Sequence, residues 1–260
     1  PTMLSLVTGD SGTGKTTLVR HLITRLGSSV SVGVISNTHK GFGELLEWTL
    51  QALSLEFHGK NKVELFQTLS NFLMHEYVKN RRVVLVIDEA QNMSIDVLEE
   101  LRMISNVNVD QYSLLQIILI GQTRLRDKLR LPALHQFAQR IETEFHLRAL
   151  AVDEVETYIR HRLKIAGRAG EDLFAADACQ SIHRISRGIP RLVNLVCDAA
   201  LVHGFAGAKA HIDRNLIDEI DRDKQAQGGW LFDPLNEPPP TDGIGKIDKQ
   251  GGKPTLRAAK

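Results

Sequence analysis

Near the start of the chain, GDSGTGKTT at positions 9–17 sets glycines, a lysine and a hydroxyl side chain at the spacing G-x-x-x-x-G-K-[ST]. Glycines so placed let backbone N–H groups turn inward around a phosphate, and a helix start behind them adds its positive end. Gly9, Ser11, Gly12, Thr13, Gly14, Lys15, Thr16 and Thr17 are therefore read as a phosphate cradle. Lys15 can reach the β- and γ-phosphates of ATP, and the Thr16 hydroxyl can be offered to Mg2+. The apolar MLSLVTG precedes the motif and the amphipathic KTTLVRHLITRLG carries it onward. That strand–loop–helix setting separates it from a chance glycine-rich turn.

A second stretch, VVLVIDEAQ at 83–91, supplies acids. A buried strand there delivers Asp88 at its C-terminal end, the edge at which open α/β sheets bind ligands. Asp88 would hold Mg2+ through water. The adjacent Glu89 can orient and deprotonate an attacking water, or simply cap the next segment. A phosphotransferase needs no such second carboxylate, because its acceptor is a substrate hydroxyl; the pair points to hydrolysis. A third apolar strand ends in IILIGQT, which sets Gln122 at the same edge, touching the γ-phosphate or the attacking water, or serving as a plain polar strand end.

Two arginines complete the set. Arg140, in LHQFAQRIETEF, stands at a helix end before the last strand. It would be offered to a neighbouring subunit's nucleotide as a finger, or it is a surface arginine favourable to the helix C-terminus. Arg191 follows Pro190 in SRGIPRLVNLVCDAAL. Proline is at home at the first helical position, but a cation there gains nothing from the helix dipole. An anion answers the question: the γ-phosphate, or a nearby carboxylate such as Asp198.

These residues need a scaffold. Over residues 1–148, apolar strand patterns (MLSLVTG, SVGVIS, RVVLVID, LLQIILIG, TEFHL) alternate with helical spacings. Strands apolar on both faces predict a parallel sheet covered by helices. In the first helix Leu18, Leu22 and Leu26 form one stripe, with Gly27 as its stop. Residues 149–224 hold four helical stretches and no strand pattern, with Gly167, Gly188 and Gly204 as stops, and read as a small all-helical domain. The tail, 225–260, is rich in Gly, Pro and Lys and reads as flexible, although Trp230, Leu231 and Phe232 could dock. No apolar run is long enough to span a bilayer, and no signal peptide is read. Cys179 and Cys197 fall on apolar helix faces and suit buried reduced thiols in a cytoplasmic protein. The net charge of +1 gives no overall field toward nucleic acid or membrane.

The loop NTHKGFGE at 37–44 puts Phe42 between two glycines, beside Lys40 and His39. It suits contact with a nucleic-acid backbone or a threaded polypeptide, or it is an ordinary strand–helix loop with Phe42 packed on the next helix.

This set of motifs, in this order, resembles the AAA+ ATPases over residues 1 to about 220. The resemblance implies a P-loop AAA+ sheet covered by helices, followed by a helical lid. It implies Walker A at 9–17, Walker B at 83–89, sensor 1 at Gln122, an arginine finger at Arg140 and sensor 2 at Arg191. More narrowly, LVIDEAQNMS, LLQIILIGQTRLRDKL and SRGIPRLVNLVCDAAL are similar to the ExeA-type ATPases of the general secretion pathway. In that family an upstream segment with an N-P-F-like motif helps hold the adenine. Secretion-linked members carry a membrane helix and a peptidoglycan-binding domain after the ATPase. Neither feature is seen in this stretch. The resemblance implies a homo-oligomer, ring or filament, that hydrolyses ATP with Mg2+ and remodels or assembles a protein partner complex. The AAA+ regulators of transposition share the layout, so an ATP-switched, DNA-binding regulator is the competing expectation.

Overall fold

The computed structural model describes residues 4–27, 29–36, 44–109, 112–168 and 172–230. Lys40, Phe42 and His39 lie outside them, as do Leu231 and Phe232. The chain divides into two compact units, Pro1–Ile220 and Asp221–Lys260.

In the first unit, β1 (Leu4–Gly9), β2 (Val30–Ile35), β3 (Arg82–Ile87), β6 (Leu115–Gly121) and β7 (Ile141–Leu147) form one sheet in the order β2-β3-β6-β1-β7. Every pairing in it is parallel. A short antiparallel hairpin, β4 (Asn108–Val109) and β5 (Tyr112–Ser113), precedes β6 and was not legible in the sequence. The strand period of two explains the layering. Leu85, Ile87, Ile117 and Leu119 turn to one face, where α2 (Leu45–Ala52), α3 (Lys62–Val78) and α4 (Ile95–Ile104) bury them. Val84, Val86 and Ile120 turn to the other, against Val19 of α1 (Lys15–Arg25). A side chain of this size, fully buried, stabilises by about 1.5–3 kcal/mol, so the central strands are pinned from both sides. The edge strand β7 differs: Glu142, Thr143, Glu144, Phe145 and His146 are all exposed. Its two glutamates discourage pairing with a foreign strand.

The order of strands is what makes a site. β1 lies between β6 and β7, and β3 lies beside β6. Thr8 pairs with Gly121, and Ile87 with Leu119. The carboxyl ends of β1, β3 and β6 therefore open on one edge, and the loops bearing Lys15, Asp88 and Gln122 leave from it.

One expectation about α1 is corrected. Leu18 and Leu22 are 43% and 45% exposed, while Lys15 and Val19 are buried and Ile23 is partly so. Lys15 has to face the loop behind it, and residues four and eight further on share its side of the helix. The buried stripe is thus 15–19–23. A second correction concerns Gly204, which stops no helix: α9 (Pro190–Ala206) runs past it, and Gly207 is its C-cap.

Beyond β7 the unit is helical, with α7 (Val152–Ile165), α8 (Ala176–Ser186), α9 and the start of α10 (Arg214–Ala226). Leu150 N–H donates to the Gly188 carbonyl, 2.8 Å, so the turn before α9 is tied to the segment leaving the sheet. In the second unit, Trp230 is 5% exposed, donates through Nε1 to Asp221 Oδ1 at 2.8 Å, and lies under Lys224 Nζ at 5.7 Å. Of the three tail residues read as able to dock, Trp230 is the one described, and it docks on α10's last turns.

Candidate functional site

The loop between β1 and α1 is closed by its own side chains. Thr13 Oγ1 donates to the Asp10 carbonyl at 2.8 Å, and Thr13 N–H reaches the same oxygen at 3.3 Å. Gly14 is the N-cap of α1 at φ 98°, a left-handed conformation that a Cβ disfavours. The first intrahelical bond runs from Leu18 N–H to the Gly14 carbonyl, so the amides of Lys15, Thr16 and Thr17 precede the helical ladder and point toward the loop end. Lys15 is 7% exposed and donates to the carbonyls of Gly9 (2.9 Å) and Asp10 (2.8 Å). Burial lowers its pKa from the ordinary lysine value; the nearby carboxylates of Glu89, Asp88 and Asp10 oppose that shift.

The two halves of the site meet through one bond. Thr16 Oγ1 donates to Asp88 Oδ2 at 2.7 Å, across 72 residues of sequence. Asp88 Oδ1 accepts from the Glu89 N–H at 2.8 Å. Glu89 itself takes a left-handed backbone, φ 54° and ψ 33°. Such a conformation costs a residue with a Cβ of order 1–3 kcal/mol and persists where surroundings over-determine it. The surroundings are visible. Asn92 N–H closes a short 3-10 turn on the Glu89 carbonyl at 2.9 Å. Lys128, on α5 (Thr123–Leu129), donates to the carbonyls of Gln91 (2.6 Å) and Met93 (2.7 Å). Burial, then the neighbouring Arg124 charge, lowers the pKa of Lys128 as well.

Gln122 is the N-cap residue of α5, at the end of β6. Its N–H donates to Gln91 Oε1 at 3.0 Å, and Gln91 Nε2 donates to Glu89 Oε2. The next residue, Thr123, donates to Asp10 Oδ1 at 3.0 Å. Gln91, Thr123 and Lys128 were not singled out in the sequence. The string DEAQ held a signal for the first, a buried amide two residues after the acid, but only the fold shows its partners.

Arg191 stands over the phosphate loop. Its N–H donates to the Gly12 carbonyl at 3.2 Å, and a Cβ added at Gly12 (φ 82°) would come to 2.8 Å of the Arg191 Cβ. The residue is exposed, and its guanidinium makes no hydrogen bond or ion pair among the described residues; Asp198 does not take it up. Arg140 sits elsewhere, against the end of α4, donating to Ser105 Oγ at 3.1 Å, the Arg102 carbonyl at 3.5 Å and Asn106 Oδ1. The fold thus gathers the 9–17 loop, Asp88, Glu89, Gln122 and Arg191 at one edge, and leaves Arg140 outside that cluster.

The donor set fits Mg2+. Thr16 and Asp88 present hard oxygens 2.7 Å apart. Among the described residues no three or more His, Cys, Asp or Glu side chains could hold an ion alone. Mg2+ is characteristically held by one or two carboxylates, waters and substrate phosphates rather than by a full protein cage.

Comparison with known proteins bears on the family and the fold. Residues 2–129 match the AAA domain family. The chain is 39% identical over 202 residues to general secretion pathway protein A of Aeromonas hydrophila, covering 77% of this chain and 37% of that protein. It therefore spans well under half the length of that relative. Among solved structures, the Aeropyrum pernix ORC2 protein, seen in ADPNP–ADP complexes, superposes with a TM-score of 0.60 at 15% identity over 84% of this chain and 61% of that one. Cdc6p of Pyrobaculum aerophilum gives 0.59 at 15% identity, over 80% and 57%. The RuvB Holliday junction branch migration motor of Thermotoga maritima gives 0.54 at 17% identity, over 86% and 62%. At these identities the structural likeness speaks for the fold alone.

Proposed function

The chain is an AAA-domain protein, with the domain in residues 2–129 and the AAA+ P-loop fold, and on that premise we propose that it binds ATP with Mg2+, hydrolyses it to ADP and phosphate, and works as a homo-oligomer, ring or filament, that remodels or assembles a protein complex. The observation that carries the reading is the Thr16–Asp88 bond, which brings the phosphate loop and the acidic strand end into one site. Similarity to general secretion pathway protein A supports a secretion-linked partner. Among the described residues no helix is long and apolar enough to cross a membrane. The two buried free thiols, Cys179 pushed up to about 11 and Cys197 to about 12 by burial, suit the reducing cytoplasm in which the proposal sets the protein.

Each residue then has a task. Lys15 exchanges the Gly9 and Asp10 carbonyls for β- and γ-phosphate oxygens. Thr16 and Asp88 would hold Mg2+, which when bound neutralises charge on those phosphates. Glu89 takes a proton from the water whose oxygen attacks the γ-phosphorus, as the bond from that phosphorus to the β–γ bridging oxygen breaks and ADP leaves. Gln122 orients the water or the γ-phosphate. Arg191 meets the γ-phosphate from the helical side.

Lys15→Ala is expected to weaken ATP binding on the order of a hundredfold, since it removes charge-assisted bonds each worth about 1.5–3 kcal/mol. Titration with a fluorescent ATP analogue measures it; unchanged affinity would remove Lys15 from the phosphates. Arg191→Ala is expected to lower the ratio of ATP to ADP affinity by about tenfold, the effect of one exposed cation seen by one phosphate, with ADP affinity nearly unchanged. A ratio equal to wild type would return Arg191 to packing on Gly12. The function itself is tested by ATPase assays with Mg2+ and with EDTA, and by sizing the protein with ATP, ADP and duplex DNA. Hydrolysis and assembly independent of DNA support the remodelling ATPase. Assembly only on DNA, with slow turnover, moves the reading to a DNA-bound switch.

A further inference from the structure

Gln91 has no task in the reaction so far, yet its side chain is buried and held at both ends. It is 4% exposed. Its amide is used at both ends with opposite polarity: Nε2 donates to Glu89 Oε2, and Oε1 accepts from the Gln122 N–H at 3.0 Å. Its backbone carbonyl is fixed by Lys128 at 2.6 Å. The space is tight, for a Cβ on Gly121 would come to 2.9 Å of Gln91 Oε1 and 2.6 Å of Leu125 Cδ2. A carboxylate at position 91 would lack the donor that Glu89 uses, and an apolar chain would lack both bonds. Only a neutral amide of this length spans the gap.

We infer that Gln91 is a positioning residue for hydrolysis: it holds the Glu89 carboxylate at a fixed place relative to the end of β6, so that base and Gln122 act as one rigid pair. The inference rests on reading Glu89 as the base. The left-handed backbone of Glu89 makes such a hold necessary. The carboxylate leaves the main chain at a strained point, φ 54°, at the N-cap of a three-residue 3-10 turn, and the tie to Gln122 crosses to a different strand. Lys128 fixes the turn's backbone; Gln91 fixes the side chain that reacts. A misplacement of about 1 Å in a reacting group can cost on the order of a hundredfold in rate.

The test is Gln91→Met, which keeps length and volume and removes both hydrogen bonds. It is expected to lower kcat roughly tenfold to a hundredfold while KM and ATP affinity stay as in wild type; the Gln122 N–H left without its acceptor lowers Tm by a few degrees at most. A double-mutant cycle with Glu89→Asp adds a readout that packing does not move. The shorter acid has already left Gln91's reach, so Gln91→Met on top of it should cost little more. Wild-type kcat in Gln91→Met overturns the inference. So do losses that fall equally on binding and Tm and add fully to those of Glu89→Asp, which would make Gln91 a packing residue. Glu89→Gln, assayed alongside, separates the two layers. If it turns over ATP like wild type, the base assignment has failed; if it is inactive while Gln91→Met is normal, only the positioning role has.

Discussion

Glu89→Gln is expected to bind ATP with wild-type affinity and to hydrolyse it about 10²–10⁴-fold more slowly, the range for removal of a positioned general base. The substitution keeps the number of side-chain atoms and leaves the backbone alone, so the left-handed turn at 89 and the Asp88 bond to its N–H persist. What disappears is a carboxylate able to take the proton of an attacking water. Because the proposed phosphate contacts come from Lys15, Thr16 and the amides at the start of α1, binding is expected to survive. The protein accumulates in its ATP state. Single-turnover hydrolysis with enzyme in excess gives the rate, and analogue titration gives the affinity. A rate within about threefold of wild type would assign the base elsewhere; lost affinity would make Glu89 part of the phosphate or metal site instead.

The grouping of residues at the candidate site was legible where chemistry dictates sequence directly. A phosphate loop needs glycines at fixed spacing, and an acid must end a buried strand, so Lys15, Thr16, Asp88 and Glu89 could be read without coordinates. The strands were legible for a related reason: β3 and β6, apolar on alternate residues toward both faces, admit little but a covered parallel sheet. Strand order was not legible, because nothing in the local pattern of β1 says that β6 and β7 will flank it. Everything that depends on that order was hidden too. Lys128 reads as one more surface cation of α5 until α5 is seen against the turn after β3. Gln91 has no reading from the sequence, and its role shows only where the Gln122 N–H is found 3.0 Å from its Oε1. The leucine stripe of α1 misled for a physical reason. Leu18 and Leu22 are as apolar as Val19 and Ile23, but the need to aim Lys15 inward set the helix's rotation, and Val19 and Ile23 followed. Hydrophobicity chose the helix; the site chose its face.

Arg140→Ala is expected to lower ATP turnover by roughly 10³–10⁵-fold, the range attributed to an arginine finger, and to do so in trans. Arg140 stands outside the site of its own chain: it immediately precedes β7, and its guanidinium reaches the end of α4. It rests there on neutral acceptors, a hydroxyl at 3.1 Å, a carbonyl at 3.5 Å and the Asn106 amide oxygen. No carboxylate pairs with it among the described residues. By contrast Arg126 is held by Glu144 at 2.6 Å and Arg102 by Glu99 at 2.8 Å. A guanidinium parked on neutral oxygens gives up little when it turns to a neighbour's triphosphate, where bidentate, charge-assisted bonds are about twice as strong. A residue that merely capped α4 would behave otherwise: its loss would cost about 0.3–1 kcal/mol of stability and leave turnover intact. Mixing decides between them. Arg140→Ala subunits keep a good Glu89, and Glu89→Gln subunits keep a good Arg140, so a mixed oligomer contains interfaces with both, and partial activity returns. Mixed oligomers verified by mass and inactive at every ratio would end the shared-site reading, and a drop in Tm with normal turnover would leave Arg140 as a cap on α4.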